Sequence, residues 1–192
     1  MTVIGNKEEL VRFSYAHVWE PKAMNEGDPL KYSVQILIPK THKATLKTVN
    51  DAIDQAIKKG IADGKITAAL TKNPSFRICL RDGDLEAAGV GDSSKDHLKG
   101  YFFFNASSKE DRQPTMLDKY GQVIMKADDF YSGCYGIADV GFFAYKNKGM
   151  GVAAGLNHLM KREDGERLDG LSSAETAFAA FKDELEGSSD LQ

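Results

Sequence analysis

The chain has 192 residues, of which 42% are hydrophobic and 28% are charged, a composition that is typical of a folded domain and excludes a fibrous or disordered protein. No apolar run approaches the roughly 18–20 residues of a membrane span, and the charged residues 7–9 argue against a signal peptide, so we expect a cytoplasmic protein without membrane contact. The net charge is -3, which is too small to indicate or exclude a nucleic-acid partner by itself.

The charge is unevenly distributed along the sequence. Residues 1–167 carry 24 Lys and Arg against 22 Asp and Glu, a net of +2, whereas residues 168–192 carry one Lys against six acids, a net of -5. We therefore predict a domain over 1–167 and an acidic C-terminal tail over 168–192. Basic residues of the domain can still line one groove, because attraction to phosphates depends on the local charge.

The first half of the sequence predicts two strands followed by one helix. Residues 11–19 are rich in aromatic and β-branched side chains, and residues 23–29 have the composition of a loop. Residues 31–38 predict the second strand, because Tyr32, Val34, Ile36 and Ile38 take one face and Lys31, Ser33 and Gln35 take the other. Apolar residues at spacings of three and four then predict an amphipathic helix from about residue 41 to residue 60.

The second half returns to strands separated by polar turns. We predict strands over 76–80, 101–106, 114–117, 135–145 and 151–160. Residues 81–84 are predicted to form a turn in which Gly83 supplies a positive φ angle, and residues 86–98 to form a loop. The basic connection 146–149 predicts a β-hairpin between the last two strands.

Several short strands, one inserted helix and many glycine-containing turns favour a mainly β fold. We predict an OB-fold, a five-stranded antiparallel Greek-key barrel, with the amphipathic helix inserted after the second strand. The acidic tail is predicted to contain a short amphipathic helix, because Ser172 and Glu175 have capping-box spacing ahead of an apolar stripe.

The strand 135–145 carries the clearest candidate for a binding surface. Its even positions are small or apolar and suit a barrel interior, whereas its odd positions include three aromatic residues. Exposed rings stack on unpaired bases with about 1–3 kcal/mol per base, and lysines at the end of the strand can meet the phosphates. The candidates here are Tyr135, Phe143, Tyr145, Lys146 and Lys148. The alternative is that these rings pack under a loop or under the tail helix.

A second candidate surface lies on the strand 101–106 and on its predicted neighbours. The odd positions from 99 to 105 form an amphipathic face, whereas Phe102 and Phe104 are predicted to lie in the core. The polar face of the strand 31–38 extends the same surface. The candidates for DNA contact here are Lys31, Gln35, Arg77, Arg81, Lys99, Tyr101 and Phe103. Each alone is an ordinary surface residue, but together they fit a groove that follows a phosphate backbone.

The sequence contains no recognisable catalytic motif. A phosphate-binding loop, a dinucleotide-binding glycine pattern and a nucleophile elbow are all absent, and the four histidines show no metal-ligand spacing. Two cysteines are too few for a disulfide framework or a four-thiolate zinc site. A metal-dependent nuclease that uses aspartates such as Asp82 and Asp84 remains an alternative. We expect no enzyme activity, no metal and no cofactor.

Five segments of the sequence, taken in order, resemble the Enc34-type phage single-stranded-DNA-binding family. They are LIPK at 37–40, LRDGD at 80–84, FYSGCY at 130–135, GFFAYKNKGMGV at 141–152 and GLNH at 155–158. The resemblance extends from about residue 8 to residue 165. It implies an OB-fold that binds unpaired DNA during phage replication or recombination, with contacts on 135–145 and on the basic hairpin. Ile137 and Asp139 depart from the small polar or basic residues expected in the family.

Proteins that resemble this family in function often carry an acidic C-terminal tail, which docks partner enzymes or occupies the DNA groove. The tail of this chain fits by charge, but it ends in SDLQ and lacks a terminal aromatic residue. If the tail occupies the groove, its removal should raise the affinity for DNA. The alternative is a solvated segment that only improves solubility.

The leading hypothesis is sequence-independent binding of single-stranded DNA, with stacking on aromatic residues and phosphate contacts from Lys and Arg. Binding of this kind weakens steeply with salt. Expected partners are single-stranded DNA, further copies of the chain on that DNA, and replication or recombination proteins. The alternative is an OB-fold protein-interaction or recombination-mediator module that binds nucleic acid weakly. An RNA preference stays open, because stacking does not read the 2′-hydroxyl.

Overall fold

The computed structural model describes residues 1–89, 93–147, 149–168 and 170, and this part of the chain is mainly β. Its strands are β1 (Thr2–Ile4), β2 (Val11–Lys22), β3 (Lys31–Pro39), β4 (Phe76–Arg77), β5 (Arg81–Asp82), β6 (Tyr101–Lys109), β7 (Thr115–Leu117), β8 (Tyr135–Lys146) and β9 (Met150–Glu163). Its helices are α1 (Lys43–Ala62) and α2 (Gly83–Ala88), with 3₁₀ turns at Leu70–Lys72, Ser93–Leu98 and Ala127–Asp129. Neither α1 nor any other helix in these ranges is long and apolar enough to cross a membrane. Apart from Leu168 and Gly170, the predicted acidic tail lies outside the described residues.

Five of the strands pair in a closed ring. β2 pairs with β3 and β8, β3 with β6, β6 with β9, and β9 with β8. The β6–β9 pairing is parallel, with Ala106 opposite Ala154, and the other four pairings are antiparallel. The prediction of an entirely antiparallel barrel is therefore wrong at this pairing. Strand direction cannot alternate all the way round a ring with an odd number of strands, so one pairing has to be parallel.

The alternation of β8 places its small residues inside the ring, as the sequence predicted. Gly136, Ala138, Val140 and Ala144 are buried, whereas Phe143 on the opposite face is 47% exposed. Successive side chains of a strand point to opposite faces, so the same strand supplies core residues and an outer surface.

Helix α1 packs against β8 through the apolar stripe that the spacing predicted. Leu46, Val49 and Ile53 of this stripe are buried. Gly60 lies so close to β8 that a Cβ at this position would approach the Cβ of Ala144 to 2.4 Å. A side chain at Gly60 would therefore push the end of the helix away from the ring.

The segment after β5 differs from its prediction. Residues 83–88 form helix α2 rather than a turn and loop, because the carboxylate of Asp82 accepts a hydrogen bond from the N–H of Asp84 at 2.9 Å and caps the helix. Gly83 does not have the positive φ angle that was predicted. Glycine is needed there for close packing, since a Cβ would lie 2.1 Å from the carbonyl oxygen of Leu98. The predicted strand 76–80 is shorter and covers only Phe76–Arg77.

Helix α2 and the 3₁₀ turn Ser93–Leu98 cover one end of the outer face of β3 and β6. Leu98 packs on Leu37 and Phe103 and forms a small second core outside the ring. The Lys40 ammonium, just after β3, binds the carboxylates of Asp82 and Asp84 at 2.6 and 2.7 Å. This contact holds α2 against the end of β3 and leaves the other end of the outer face uncovered.

Candidate nucleic-acid interface

A groove crosses the outer faces of β2, β3, β6 and β9, and we call it the strand-face groove. Its floor is formed by side chains of β3 and β6, which are Ser33, Gln35, Asn105 and Ser107. One half is bounded by β2 and the loop 23–30, through Tyr15, His17, Lys22, Met24, Asp28 and Lys31. The other half is bounded by the segment 77–81, β8 and β9, through Arg77, Ile78, Arg81, Tyr145 and Ala153.

The floor of the groove is polar because the strands alternate. Val34 and Ile36 of β3 point into the ring, so Ser33 and Gln35 face outward, opposite Ser107 and Asn105 of β6. The side chain of Gln35 is almost fully buried at 8% exposure, and its Oε1 has no hydrogen-bond partner among the described residues. The groups that the floor exposes to a ligand are therefore the Asn105 amide and the hydroxyls of Ser33 and Ser107, whereas Gln35 Oε1 is closed off from solvent.

Tyr15 stands at the edge of this floor because of an irregularity in β2. The pairing of β2 with β3 shifts register between Ser14 and His17, and Tyr15 has a φ of 44°. Simple alternation from Val11 and Phe13 would place Tyr15 inside the ring, but the bulge turns its side chain outward. The ring is 55% exposed and meets the edge of His97 with 5.6 Å between centroids. β-Bulges near binding sites commonly redirect a side chain in this way.

Cationic side chains stand on both halves of the groove. Lys22, Lys31 and Arg77 are exposed, and none of the three forms a salt bridge with a described carboxylate. Arg81 is held by Glu86 at 2.9 Å and lies over the ring of Phe103 with 4.5 Å to the centroid. Three of the four cations are therefore free to meet phosphates.

His17 lines the groove and has a displaced pKa. Burial lowers the pKa of its imidazole, and the nearby charge of Lys22 lowers it further. Because the displacement is downward from a usual value of about 6.5, His17 is neutral at pH 7 in the free protein.

The structure brings together five of the residues that the sequence singled out. The strand-face groove is lined by Lys31, Gln35, Arg77, Arg81 and Tyr145. Phe143 lies nearby on the outer face of β8, opposite Ala153, and Lys146 is exposed at the end of the same strand. Lys148 lies outside the described residues.

Phe103 and Tyr101 are placed differently from their prediction. Phe103 is only 1% exposed, because Leu98 of the 3₁₀ turn covers it, and Tyr101 packs beside the same small core. Lys99, just before β6, pairs with Asp96 at 2.7 Å. The alternation of the strand was predicted correctly, but the sequence did not indicate that its outer face is covered at this end.

Tyr135 lies at the opposite end of β8 from Tyr145. Its ring is half-buried under the guanidinium of Arg12, with 5.4 Å to the ring centroid, and burial raises the pKa of its hydroxyl. Arg12 also donates hydrogen bonds to the carbonyl oxygens of Gly133 and Glu166 at 3.2 and 2.8 Å. Tyr135 therefore belongs to a packed contact between β2, β8 and the chain after β9.

Sequence reasoning missed several residues of the groove. They are Tyr15, His17, Lys22, Asn105 and Ser107. Asn105 had a signal, since it shares the polar face of the strand with Lys99. Tyr15 had none, because a bulge in one strand depends on its pairing with the next.

The aspartates that suggested a metal site have protein partners. Asp82 and Asp84 bind Lys40, and hydrogen bonds from its ammonium are the main reason that the pKa of each carboxyl is lowered. Within the described ranges, no group of three or more histidine, cysteine, aspartate or glutamate side chains is arranged to hold a metal ion.

Comparisons with known proteins agree on one family. The family model for the single-stranded-DNA-binding protein of Enterobacter phage Enc34 matches residues 1–188. Protein p50 of Acyrthosiphon pisum secondary endosymbiont phage 1 is 32% identical over 164 residues, which cover 83% of this chain and 84% of that protein.

Solved structures show the same similarity. The single-stranded DNA-binding protein from bacteriophage Enc34 in complex with single-stranded DNA has a TM-score of 0.66 at 25% identity, covering 83% of this chain and 86% of that chain. Gp2.5, a single-stranded DNA binding protein encoded by bacteriophage T7, shares the fold at 14% identity, with a TM-score of 0.56 and 90% of each chain covered.

Proposed function

This chain belongs to the Enc34 family of phage single-stranded-DNA-binding proteins, and from that premise we propose that it binds unpaired DNA along the strand-face groove during phage replication and recombination. The proposed role is stoichiometric coating of DNA without catalysis or a cofactor. It would be carried out by residues 1–167 in the cytoplasm of the infected host.

The ring of β2, β3, β6, β9 and β8 supports the assignment of an OB-fold. OB-folds bind oligonucleotides across the face of their second and third strands, between the loop that joins strands one and two and the loop that joins strands four and five. In this chain β3 and β6 are the second and third strands of the ring. The first of these loops is then residues 23–30, which border one half of the groove through Met24 and Asp28.

The observation that carries the proposal is the position of Tyr15 at the edge of a polar floor, in a groove that has cations on both halves. A base can stack on its exposed ring, while the exposed amide of Asn105 faces the same space. A non-glycine residue at a positive φ is strained, and such strain is found most often at functional sites. Tyr145 and Phe143 offer two further rings on the other half.

The phosphate contacts are proposed for the cations without salt-bridge partners. Lys22 and Lys31 flank one half of the groove, and Arg77 flanks the other. Arg81, which is paired with Glu86, and the exposed Lys146 are proposed as further phosphate contacts. Each phosphate that is neutralised releases counterions, so the affinity should depend strongly on salt.

Fluorescence anisotropy with a labelled oligo-dT over a salt series tests this proposal. Wild type should bind with a steep salt dependence, and Lys22→Ala with Lys31→Ala should lower the slope of log K against log salt by about 1.4, or about 0.7 per contact. Lys58→Ala with Lys65→Ala, two exposed lysines outside the groove, is the matched control. Absent or salt-insensitive binding by a folded protein would contradict the proposal and favour a protein-docking module. Competition by oligo-rU and by duplex DNA tests the choice of nucleic acid.

The proposal extends to partners in two ways. Copies of the chain would associate along the same DNA, and the acidic residues 168–192 would dock replication or recombination proteins through their charge. Sedimentation of the chain on long and short oligo-dT, with and without such a protein, measures both.

A further inference from the structure

The floor of the strand-face groove is built from side chains that can both donate and accept a hydrogen bond. These side chains are Ser33, Gln35, Asn105 and Ser107. A hydroxyl or a primary amide has both capacities, whereas lysine and arginine only donate and an ionised carboxylate only accepts. The floor therefore has no fixed hydrogen-bond polarity.

Asn105 holds the central position of this floor. It lines both halves of the groove, and its side chain is exposed between the buried Phe104 and Ala106 of β6. Asparagine is depleted in strands, where β-branched and aromatic residues pack better on the pleated surface. An exposed asparagine in the middle of β6 therefore contributes little to the fold, and its amide is available to a ligand.

The residue opposite Asn105 does not fix the orientation of its amide. Gln35 pairs with Asn105 across β3 and β6. The Cβ atoms of such a pair lie about 4.5–5.5 Å apart, so the two amides are within reach of each other. Gln35 Oε1 nevertheless has no hydrogen-bond partner among the described residues, so the Asn105 NH₂ group is not held there. Because the amide of Gln35 has a donor and an acceptor, it can meet either orientation of the Asn105 amide.

The exposed ring of Tyr15 stands at the same level of the groove. Tyr15 follows Ser14, which pairs with Gln35, and Gln35 in turn pairs with Asn105. Two strand spacings of about 4.8 Å separate the backbones of Ser14 and Asn105, a distance of about 10 Å. A base that stacks on Tyr15 therefore has its hydrogen-bonding edge within reach of the floor at Asn105.

We propose that Asn105 contacts the edges of the bases and makes the groove tolerant of DNA sequence. This inference rests on the proposed binding of single-stranded DNA in the groove, and it names the side chain that meets the bases there. In one orientation the Asn105 NH₂ group donates to O4 of thymine. After a half-turn of the amide, its carbonyl oxygen accepts from the N4 amino group of cytosine. One side chain thus serves bases of opposite hydrogen-bond polarity.

A side chain of fixed polarity at this position should make binding selective. The carboxylate of Asn105→Asp only accepts, so it can bind the amino group of cytosine but meets O4 of thymine as a second acceptor. Its negative charge also repels phosphates, and this repulsion is the same for both bases. The ratio of the dissociation constants for oligo-dT and oligo-dC therefore isolates the contact with the base.

Fluorescence anisotropy at low salt with labelled oligo-dT, oligo-dC and oligo-dU of one length tests the inference. The three dissociation constants of the wild type should agree within about threefold. Asn105→Asp should raise the ratio of oligo-dT to oligo-dC about tenfold, and oligo-dU should follow oligo-dT because both bases carry O4. Asn105→Ser keeps a donor and an acceptor and should keep the wild-type ratio. Asn50→Asp, the same change at an exposed asparagine of α1 outside the groove, is the matched control.

A variant without charge gives an independent measurement. Asn105→Leu has a similar shape and no hydrogen-bonding group, so it should weaken the binding of oligo-dT and oligo-dC to the same degree, about fivefold. Wild-type affinity of this variant for both oligonucleotides would show that Asn105 does not contact the bases.

Three other results would overturn the inference. An unchanged ratio in Asn105→Asp would mean that the amide does not face the bases. A wild-type preference of tenfold or more between oligo-dT and oligo-dC would show that the floor is not tolerant of sequence. A separation of oligo-dU from oligo-dT would assign the selectivity to the thymine methyl group instead. Wild type that binds none of the oligonucleotides would refute the proposed function itself, which is a different result from a failure at Asn105 alone.

Discussion

Replacing Tyr15 with alanine and with glycine separates what this residue contributes to binding from what it costs the fold. Both substitutions remove the ring that we propose stacks on a base, which contributes about 1–3 kcal/mol. The dissociation constant for oligo-dT should therefore rise by roughly 5- to 150-fold in each variant. The slope of log K against log salt should stay at the wild-type value, since tyrosine carries no charge that releases a counterion.

The two variants should differ in stability in an unusual order. A left-handed backbone costs a residue other than glycine about 1–2 kcal/mol, and Tyr15 has a φ of 44°. Glycine in a strand costs about 0.5–1 kcal/mol relative to alanine through backbone entropy. Strain relief exceeds this cost, so Tyr15→Gly should be more stable than Tyr15→Ala by about 0.5–1 kcal/mol. At Glu20, an exposed position of the same strand without a positive φ, alanine should be the more stable residue.

Urea unfolding and oligo-dT anisotropy on the same preparations measure both effects. Tyr120→Ala removes an exposed tyrosine outside the groove and should bind as wild type does. Binding within twofold of wild type by folded Tyr15→Ala would show that the ring does not stack. A stability order at Tyr15 that matches the order at Glu20 would refute the argument from strain.

Three further substitutions follow from the same structure. Phe103→Ala should lower the free energy of unfolding in urea by about 3–5 kcal/mol, because the ring is buried under the 3₁₀ turn. The folded fraction of this variant should bind oligo-dT with wild-type affinity. A loss of affinity in the folded fraction would show that Phe103 contacts DNA. Burial lowers the pKa of His17 in the free protein, and a nearby phosphate would favour its charged form. The affinity should therefore be constant above the His17 pKa of the complex, rise as the pH falls from there toward the lower pKa of the free protein, and level off below it. His17→Gln should abolish this rise, and an identical pH profile in both proteins would exclude His17 from the phosphate contacts. Gly151→Ala should displace β4, since a Cβ at this position would lie 2.0 Å from the carbonyl oxygen of Arg77. We expect faster hydrogen exchange at Phe76–Arg77 together with weaker binding of oligo-dT. Unchanged exchange at these residues would contradict the predicted displacement.

The sequence predicts the parts of the fold that depend on local periodicity. The alternation of β8 and the helical spacing of α1 each identify a buried face, and both faces are buried in the structure. The polar face of β3 likewise identifies Gln35 and Lys31, which line the groove. These patterns are visible because one short stretch of chain contains both the buried and the exposed positions.

The remaining features depend on residues that are distant in sequence. Phe103 looks like an exposed ring on an amphipathic strand, and only the fold shows that Leu98 covers it. Residues 81–84 have the sequence of a turn and residues 86–98 that of a loop, but Asp82 caps helix α2 in the structure. The outward position of Tyr15 arises from a shift in the pairing of β2 with β3, which no single strand records.

The most direct test of the account is where single-stranded DNA touches the folded chain. An oligo-dT that carries 5-iodouracil, crosslinked to the full-length protein by light, identifies the aromatic and sulfur-containing side chains next to its bases. The account predicts crosslinks to Tyr15, Met24 or Tyr145, all of which line the strand-face groove. Crosslinks confined to Tyr120, Met125 or Tyr135, with none in the groove, would contradict it.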